Sequence, residues 1–235
     1  MKTEIIAEIG QNHNGDIGIA KDLIKAAKES GADVAKFQLY SARNLFPPKS
    51  KNPWYEYNCL TELKRDDVNR LADYCHEIDI EFMASVFDLE RIEWLEAVNV
   101  KRYKLASRSV FDSELISGLV ATRKPIIISL GMWTGGDFPD ISSSSNVNFL
   151  YCVSKYPTPL SELHLSKVNF GKYAGFSDHT IGISAACASF ARGARILEKH
   201  LTLDKSAFGP DHACSMTPAE LAAINKFRND WEEFQ

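Results

Sequence analysis

Residues 173–201 read Tyr173-Ala-Gly-Phe-Ser-Asp-His-Thr-Ile-Gly-Ile-Ser-Ala-Ala-Cys-Ala-Ser-Phe-Ala-Arg-Gly-Ala-Arg-Ile-Leu-Glu-Lys-His-Leu201, and this stretch decides the fold. A short apolar run at 173–177 is followed by helical spacing over 182–193 and a second apolar run at 195–201. Runs that are apolar on both faces are the mark of strands buried in a parallel sheet, and a helix between two of them returns the chain to the same end. The first run leads into His179 and the second into His200, so a parallel unit puts both imidazoles at one end of neighbouring strands.

The same alternation extends outward over the whole chain. Further strand candidates are 4–9, 34–39, 81–86, 102–106, 125–130 and 147–153. Helical spacing fills 17–30, 66–78, 89–98, 112–122 and 217–233. In 17–30 the stripe is Ile17, Ala20, Leu23, Ile24 and Ala27, with Gly31 as a stop. Val68, Leu71, Ala72 and Cys75 repeat the pattern, and Thr217-Pro-Ala-Glu220 opens the last helix with an N-cap and an acid at N3. Strands alternating with helices imply an α/β protein, and eight repeats imply a closed (β/α)8 TIM barrel with its site at the C-terminal strand ends. Two connections break the rhythm. Residues 41–64, with Pro47, Pro48, Trp54, Tyr55 and Tyr57, form a long loop that reads either as an ordered lid or substrate wall or as a packed surface excursion. Residues 132–146 hold little that makes a regular fifth helix, and their serine run reads as a flexible turn.

Bulk properties narrow the function. The 235 residues suit a single barrel domain, 1–235, and 45% hydrophobic content supports a sizeable core. A net charge of -4 with both signs dispersed argues against a nucleic-acid or acidic-membrane surface. Five scattered cysteines without a CxxC pair fit reduced thiols in a cytoplasmic protein. No apolar run approaches the roughly 18 residues of a membrane span, and the N-terminus enters a strand at once rather than forming a signal peptide.

The strand ends carry the chemistry. His179 and His200, with Asp211 in the loop Gly209-Pro-Asp-His212, fit a catalytic divalent-metal site with open positions. Glu8 lies inside an apolar strand and must be paired, so it serves either catalysis or a structural ion pair with a lysine of a neighbouring strand. Lys36 and Gln38 end strand two; Lys104 and Ser107 end strand four; Ser85 and Ser129 end strands three and five; Ser154 and Tyr156 follow strand six. Two strand-borne lysines within a ring of hydroxyls suit a phosphate or phosphorylated carboxylate, with a Schiff-base lysine as the chemical alternative. His13 would serve the site or cap a turn, His212 is a rim candidate, and His76 and His164 face solvent. No Walker, Rossmann, HExxH or GxSxG motif is present.

Taken together, Ile6-Ala-Glu-Ile-Gly-Gln-Asn-His-Asn-Gly15, Gly31-Ala-Asp-Val-Ala-Lys-Phe-Gln38, Gly131-Met132, Tyr156-Pro-Thr-Pro159, Phe176-Ser-Asp-His-Thr180, Glu198-Lys-His200 and Gly209-Pro-Asp-His212 resemble the sialic acid (nonulosonate) synthase family. The resemblance implies condensation of phosphoenolpyruvate with an open-chain N-acetylated hexosamine, with Mn²⁺ or a similar ion and release of phosphate. It implies His179 and His200 as metal ligands, Lys36, Ser85, Lys104, Ser107, Ser129 and Ser177 around phosphoenolpyruvate, and Glu8, Gln38, Tyr156 and Asp211 facing the sugar or water. The metal would polarise the sugar aldehyde, C3 of phosphoenolpyruvate would attack it, and Glu8 would stabilise the cationic C2 or deprotonate the water that adds there. Three departures stand out. Ser109 occupies the place of an expected substrate-handling acid. Ser154 occupies a place often held by asparagine. The family's C-terminal antifreeze-like domain, which covers the partner's site in the homodimer, is expected to be absent, encoded separately or truncated. The alternatives are a metal-dependent pyruvate aldolase and a degenerate, non-catalytic sugar-phosphate-binding barrel.

Overall fold

A computed structural model describes residues 3–46, 51–141 and 146–234. Eight parallel strands close into a barrel in sequential order: β1 Glu4–Gly10, β2 Val34–Leu39, β3 Glu81–Val86, β4 Tyr103–Leu105, β5 Ile126–Ser129, β6 Val147–Cys152, β7 Gly175–Asp178 and β8 Ile196–His200. Closure is the β1–β8 pairing, which runs from Glu4 opposite Ile196 to Glu8 opposite His200. No helix of the described chain is long and apolar enough to cross a membrane. All five cysteines are free thiols.

Each helix forms where sequence supplies a cap and a stripe. Helix α1, Ile17–Glu29, starts at Asp16, whose side chain accepts from the Gly18 and Ile19 amides, and buries Ala20, Leu23, Ile24 and Ala27 against the barrel. It stops before Gly31, which takes φ +91° and leaves no room for a Cβ beside Asn225. Short helices α2, Ala42–Leu45, and α3, Tyr55–Leu60, order the described parts of the long loop; Pro47 and Pro48 lie outside the described residues. Helices α4, Arg65–Glu77, α5, Leu89–Ala97, α6, Ser113–Ala121, and α7, Ser184–Ala191, follow the expected segments. The last, α8 Pro218–Glu233, carries the expected reciprocal cap between Thr217 and Glu220.

The alternation of helices fails twice. Between β5 and β6 the described residues form no helix, in keeping with Gly135, Gly136 and Pro139; the serine run 142–145 lies outside the described residues. After β6, two 3-10 turns, Leu160–Glu162 and Leu165–Lys167, replace a helix. Pro157 and Pro159 explain this, since each removes an amide donor and restricts the residue before it.

Strand period then builds the interior in layers. At the bottom, Arg102 joins Glu4 and Glu81 in an ion-paired plug. Above it, Ile6, Val34, Met83, Ile127, Leu150, Ala174 and Ile196 form a dry apolar layer. Two residues further along β1, β2, β3, β5 and β8 the side chains are polar, Glu8, Lys36, Ser85, Ser129 and Glu198, and there the floor of the cleft begins. The intervening residues, Ile5, Ala7, Ile9, Phe37 and Leu197 among them, pack outward under the helices.

Leu23 is fully buried at the α1–barrel contact. Leu23→Ala is expected to cost about 2–5 kcal/mol of stability, read as a lower urea midpoint; a loss under about 1 kcal/mol would show that this helix does not hold the barrel as described.

Candidate active site

The polar layer places four charges in the barrel's upper interior. Lys36 Nζ lies 2.7 Å from Glu8 Oε2 and 3.2 Å from Glu198 Oε2, and donates to Ser85 Oγ at 3.1 Å. Lys104 Nζ is 3.8 Å from Glu198 Oε1 and donates to the Leu105 carbonyl at 3.0 Å. Ser177 donates to Glu198 Oε1 at 2.8 Å, and Gln38 Nε2 donates to Glu8 Oε1 at 2.9 Å. Burial alone would raise the Glu198 carboxyl, but the Lys104 and Lys36 ammonium groups outweigh it and hold its pKa down to about 2. Burial would likewise lower Lys36, and its two carboxylate partners raise it instead. Lys104 is lowered, first by burial and then by Lys36, against the pull of Glu198. It is the less tightly paired of the two cations.

Glu198 is the main site residue that sequence reading left without a role. The signal was there, because Glu198 lies two residues before His200 on one strand and so faces the same interior. Glu8 forms the expected ion pair with a lysine of the neighbouring strand and also lines the cavity.

These groups line a narrow inner chamber, open on its outer side, bounded by Glu8, Lys36, Ser85, Lys104, Ser129, Cys152, Ser177, Glu198 and the two histidines. Ser129 Oγ is buried there with no hydrogen-bond partner among the described residues, so its hydroxyl is available to a ligand. Burial pushes the Cys152 thiol up to about 11, leaving it neutral. The chamber opens into an outer cleft of ≈ 1140 Å³ lined by Gln11, Phe46, Phe87, Arg108, Met132, Ser154 and Asp211. Gln38, Ala106, Ser107, Tyr156 and His200 line both. Ser107 Oγ accepts from the Met132 amide at 2.6 Å, which leaves its proton for the cleft. Gly131 makes room for Ser154, whose Oγ lies 2.5 Å from where a Cβ would stand. Ser109 is buried in a 3-10 turn and lines neither space.

The imidazoles stand at the junction. Their ring centroids are 5.8 Å apart, and Tyr156 lies 4.0 Å from His179. His179 Nδ1 is within 3.1 Å of the Val153 carbonyl, which leaves Nε2 as its free nitrogen. Burial, reinforced by His200, lowers the His179 pKa to about 3, so the ring is neutral and able to ligate. His200 Nδ1 is buried without a hydrogen-bond partner among the described residues and lies 3.9 Å from Asp211 Oδ2. An orphaned imidazole nitrogen beside a carboxylate fits a cation. Among the described residues no group of three or more His, Cys, Asp or Glu side chains is set to hold a metal, so the protein would contribute an imidazole pair and leave the rest of the shell to other ligands.

Outward-facing neighbours fix this pair in place. Asp178 and Lys199, each adjacent in sequence to one histidine, form an ion pair at 3.0 Å with side chains wholly buried. Asp178 accepts from the Thr180 amide and Lys199 donates to the Thr180 carbonyl, so the turn carrying His179 is tied to β8. Gly10, at φ +53°, leaves its missing Cβ 3.3 Å from both Glu8 Oε1 and His200 Cε1; a side chain there would crowd the site.

His13 caps a turn rather than serving the site: the Gly15 amide donates to its Nδ1 at 3.1 Å. His212, expected on the rim, is buried, with Nδ1 2.7 Å from Thr202 Oγ1. His76 and His164 are exposed, as expected.

Comparison with known proteins identifies a family and a shared fold. The model of the NeuB family matches residues 23–234. The N,N'-diacetyllegionaminic acid synthase of Campylobacter jejuni is 35% identical over 95% of this chain and 74% of its own length. The N-acetylneuraminate-9-phosphate synthase of Mus musculus is 36% identical over 94% of this chain and 67% of its own length. Among solved structures, an N-acetylneuraminic acid synthetase from Leptospira borgpetersenii superposes with a TM-score of 0.90 at 27% identity, covering 100% of this chain and 85% of that one.

Burial lowers the His13 pKa from 6.5 to about 4. The unfolded chain therefore takes up this proton first as pH falls, and stability is lost between about 6.5 and 4 and levels off below. His179 adds in the same direction. Urea midpoints measured across this range should fall less steeply for His13→Gln than for the wild type; equal slopes would rule out a buried neutral His13.

Proposed function

Because this chain belongs to the NeuB family, we propose that it condenses phosphoenolpyruvate with an open-chain N-acetylated hexosamine, yielding a nonulosonic (sialic-type) acid and inorganic phosphate. The observation that carries this reading is the junction of two spaces of different chemistry. The inner chamber is small and lined by ammonium and hydroxyl groups, which suits a phosphate and carboxylate. The outer cleft is larger and rich in hydrogen-bonding groups, which suits a sugar.

In this account Lys104, Lys36, Ser85, Ser129, Ser177 and Ser107 hold phosphoenolpyruvate. Gln38, Ser154, Tyr156 and Asp211 face the acceptor. His179 and His200 would hold a divalent cation, Mn²⁺ in our proposal, which when bound supplies Lewis acidity toward the sugar carbonyl. The bond made joins C3 of phosphoenolpyruvate to the aldehyde carbon, and the bond broken is the C2–O bond to phosphate after water adds at C2. Glu8, oriented by Gln38 and Lys36, would either offset positive charge at C2 or take the proton of the incoming water. The five free thiols fit the reducing cytoplasm as the place of action.

Phosphate release from phosphoenolpyruvate with Mn²⁺ across a panel of N-acetylated hexosamines tests the reading. Sugar-dependent, chelator-sensitive release is expected, and no release with any sugar despite bound metal would overturn it. Glu8→Gln should lower kcat by roughly 10²–10⁴-fold, and retained activity would remove Glu8 from the chemistry. His179→Ala and His200→Ala should each lose bound metal; unchanged metal content would end their assignment as ligands.

A further inference from the structure

Gln11, at the end of β1, is buried yet lines the outer cleft. Its Nε2 faces three oxygens: it donates to the Tyr40 hydroxyl, to Asn58 Oδ1 at 3.0 Å and to Thr61 Oγ1 at 3.1 Å. The two hydroxyl oxygens lie 2.8 Å apart, so one can donate to the other, and each also has a main-chain carbonyl within reach of its proton. For Tyr40 it is the Asn58 carbonyl at 3.1 Å, and for Thr61 the Tyr57 carbonyl at 2.9 Å. Burial, the dominant influence on Tyr40, pushes its phenol up to about 12, so that proton stays in place at neutral pH. Both hydroxyl oxygens therefore meet Gln11 as acceptors, and the amide can satisfy them only through its nitrogen.

This fixes the other end of the amide. Gln11 Oε1 accepts from no described residue, yet it is not among the buried atoms left without a partner, so it opens onto the cleft that Gln11 lines. The same logic holds one strand away, where Gln38 spends its Nε2 on Glu8. Two amide oxygens and the Asp211 carboxylate thus make this wall of the cleft rich in acceptors.

We propose that Gln11 is a specificity-determining residue whose Oε1 accepts a hydrogen bond from a donor on the acceptor sugar, either a hydroxyl or the acetamido N–H. The inference rests on the synthase reading and deepens it. The amide is locked before substrate arrives, so the contact costs little reorganisation. A sugar that lacks the donor strands a desolvated oxygen, which is how a site rejects an analogue missing one polar group.

Steady-state kinetics on the whole enzyme test this, using the acceptor found by the phosphate-release panel and analogues each lacking one donor: single deoxy sugars and an N-methylated acetamide. Gln11→Met is expected to raise the acceptor KM at least tenfold while the KM for phosphoenolpyruvate stays within twofold. For one analogue the wild type and Gln11→Met should become equal, and that analogue identifies the donor as hydroxyl or N–H. If Gln11→Met does not fold, Gln11→Asn keeps a polar amide at the site but retracts it by one methylene, withdraws the oxygen from the cleft and carries the same expectations. An unchanged acceptor KM in a folded variant, or the same factor against every analogue, would overturn the assignment while leaving the synthase intact. Wild-type enzyme that releases no phosphate with any acceptor would overturn both.

Discussion

Two lysines and two glutamates share the upper interior of this barrel, and a charge in that position is tolerable only with its partners. Glu8 and Glu198 come from the strands that close the barrel, Lys36 from β2 directly beside Glu8, and Lys104 from β4 across the interior. Removing any one would leave an uncompensated buried charge, which is strongly destabilising. The cluster therefore couples the site to the fold. The apolar layer beneath keeps the cluster at one depth, and the strand period fixes which residues reach it.

The same cluster prepares the chamber for an anion. Its formal charges cancel, yet Lys104 is held loosely and the Ser129 hydroxyl has no hydrogen-bond partner among the described residues. An entering phosphate could take both without breaking the short Lys36–Glu8 contact that orients the carboxylate. Above it, the imidazoles of His179 and His200 are held by the buried Asp178–Lys199 pair behind them. Residues that face the chamber and residues that position them thus alternate along the last two strands.

Much of this was legible in the sequence. Buried parallel strands announce themselves by continuous apolar runs, and functional side chains cluster at their C-terminal ends, so Glu8, Lys36, Lys104, His179 and His200 could be placed at one end of the barrel. Glu198 was legible too, from its spacing to His200, but a glutamate inside a motif invites attention to the histidine instead. Other features depend on contacts between distant segments and leave no local trace. The Gln11–Tyr40–Asn58–Thr61 network joins the end of β1 to the long loop and packs that described part of the loop onto the barrel. His212 was misplaced on the rim because its burial comes from Thr202 and Asn14, both outside its own motif. The missing helix after β6 follows from Pro157 and Pro159, a pair legible as a motif before it was read as a helix breaker.

The central claim is that the inner chamber is built for a phosphorylated carboxylate and not for a bare keto acid. Calorimetric titration of phosphoenolpyruvate and of pyruvate into the Mn²⁺-loaded protein tests it most directly. The account predicts one phosphoenolpyruvate per chain, with pyruvate at least a hundredfold weaker and with Lys104→Met abolishing the difference. Pyruvate bound as tightly as phosphoenolpyruvate would contradict the account and favour an aldolase.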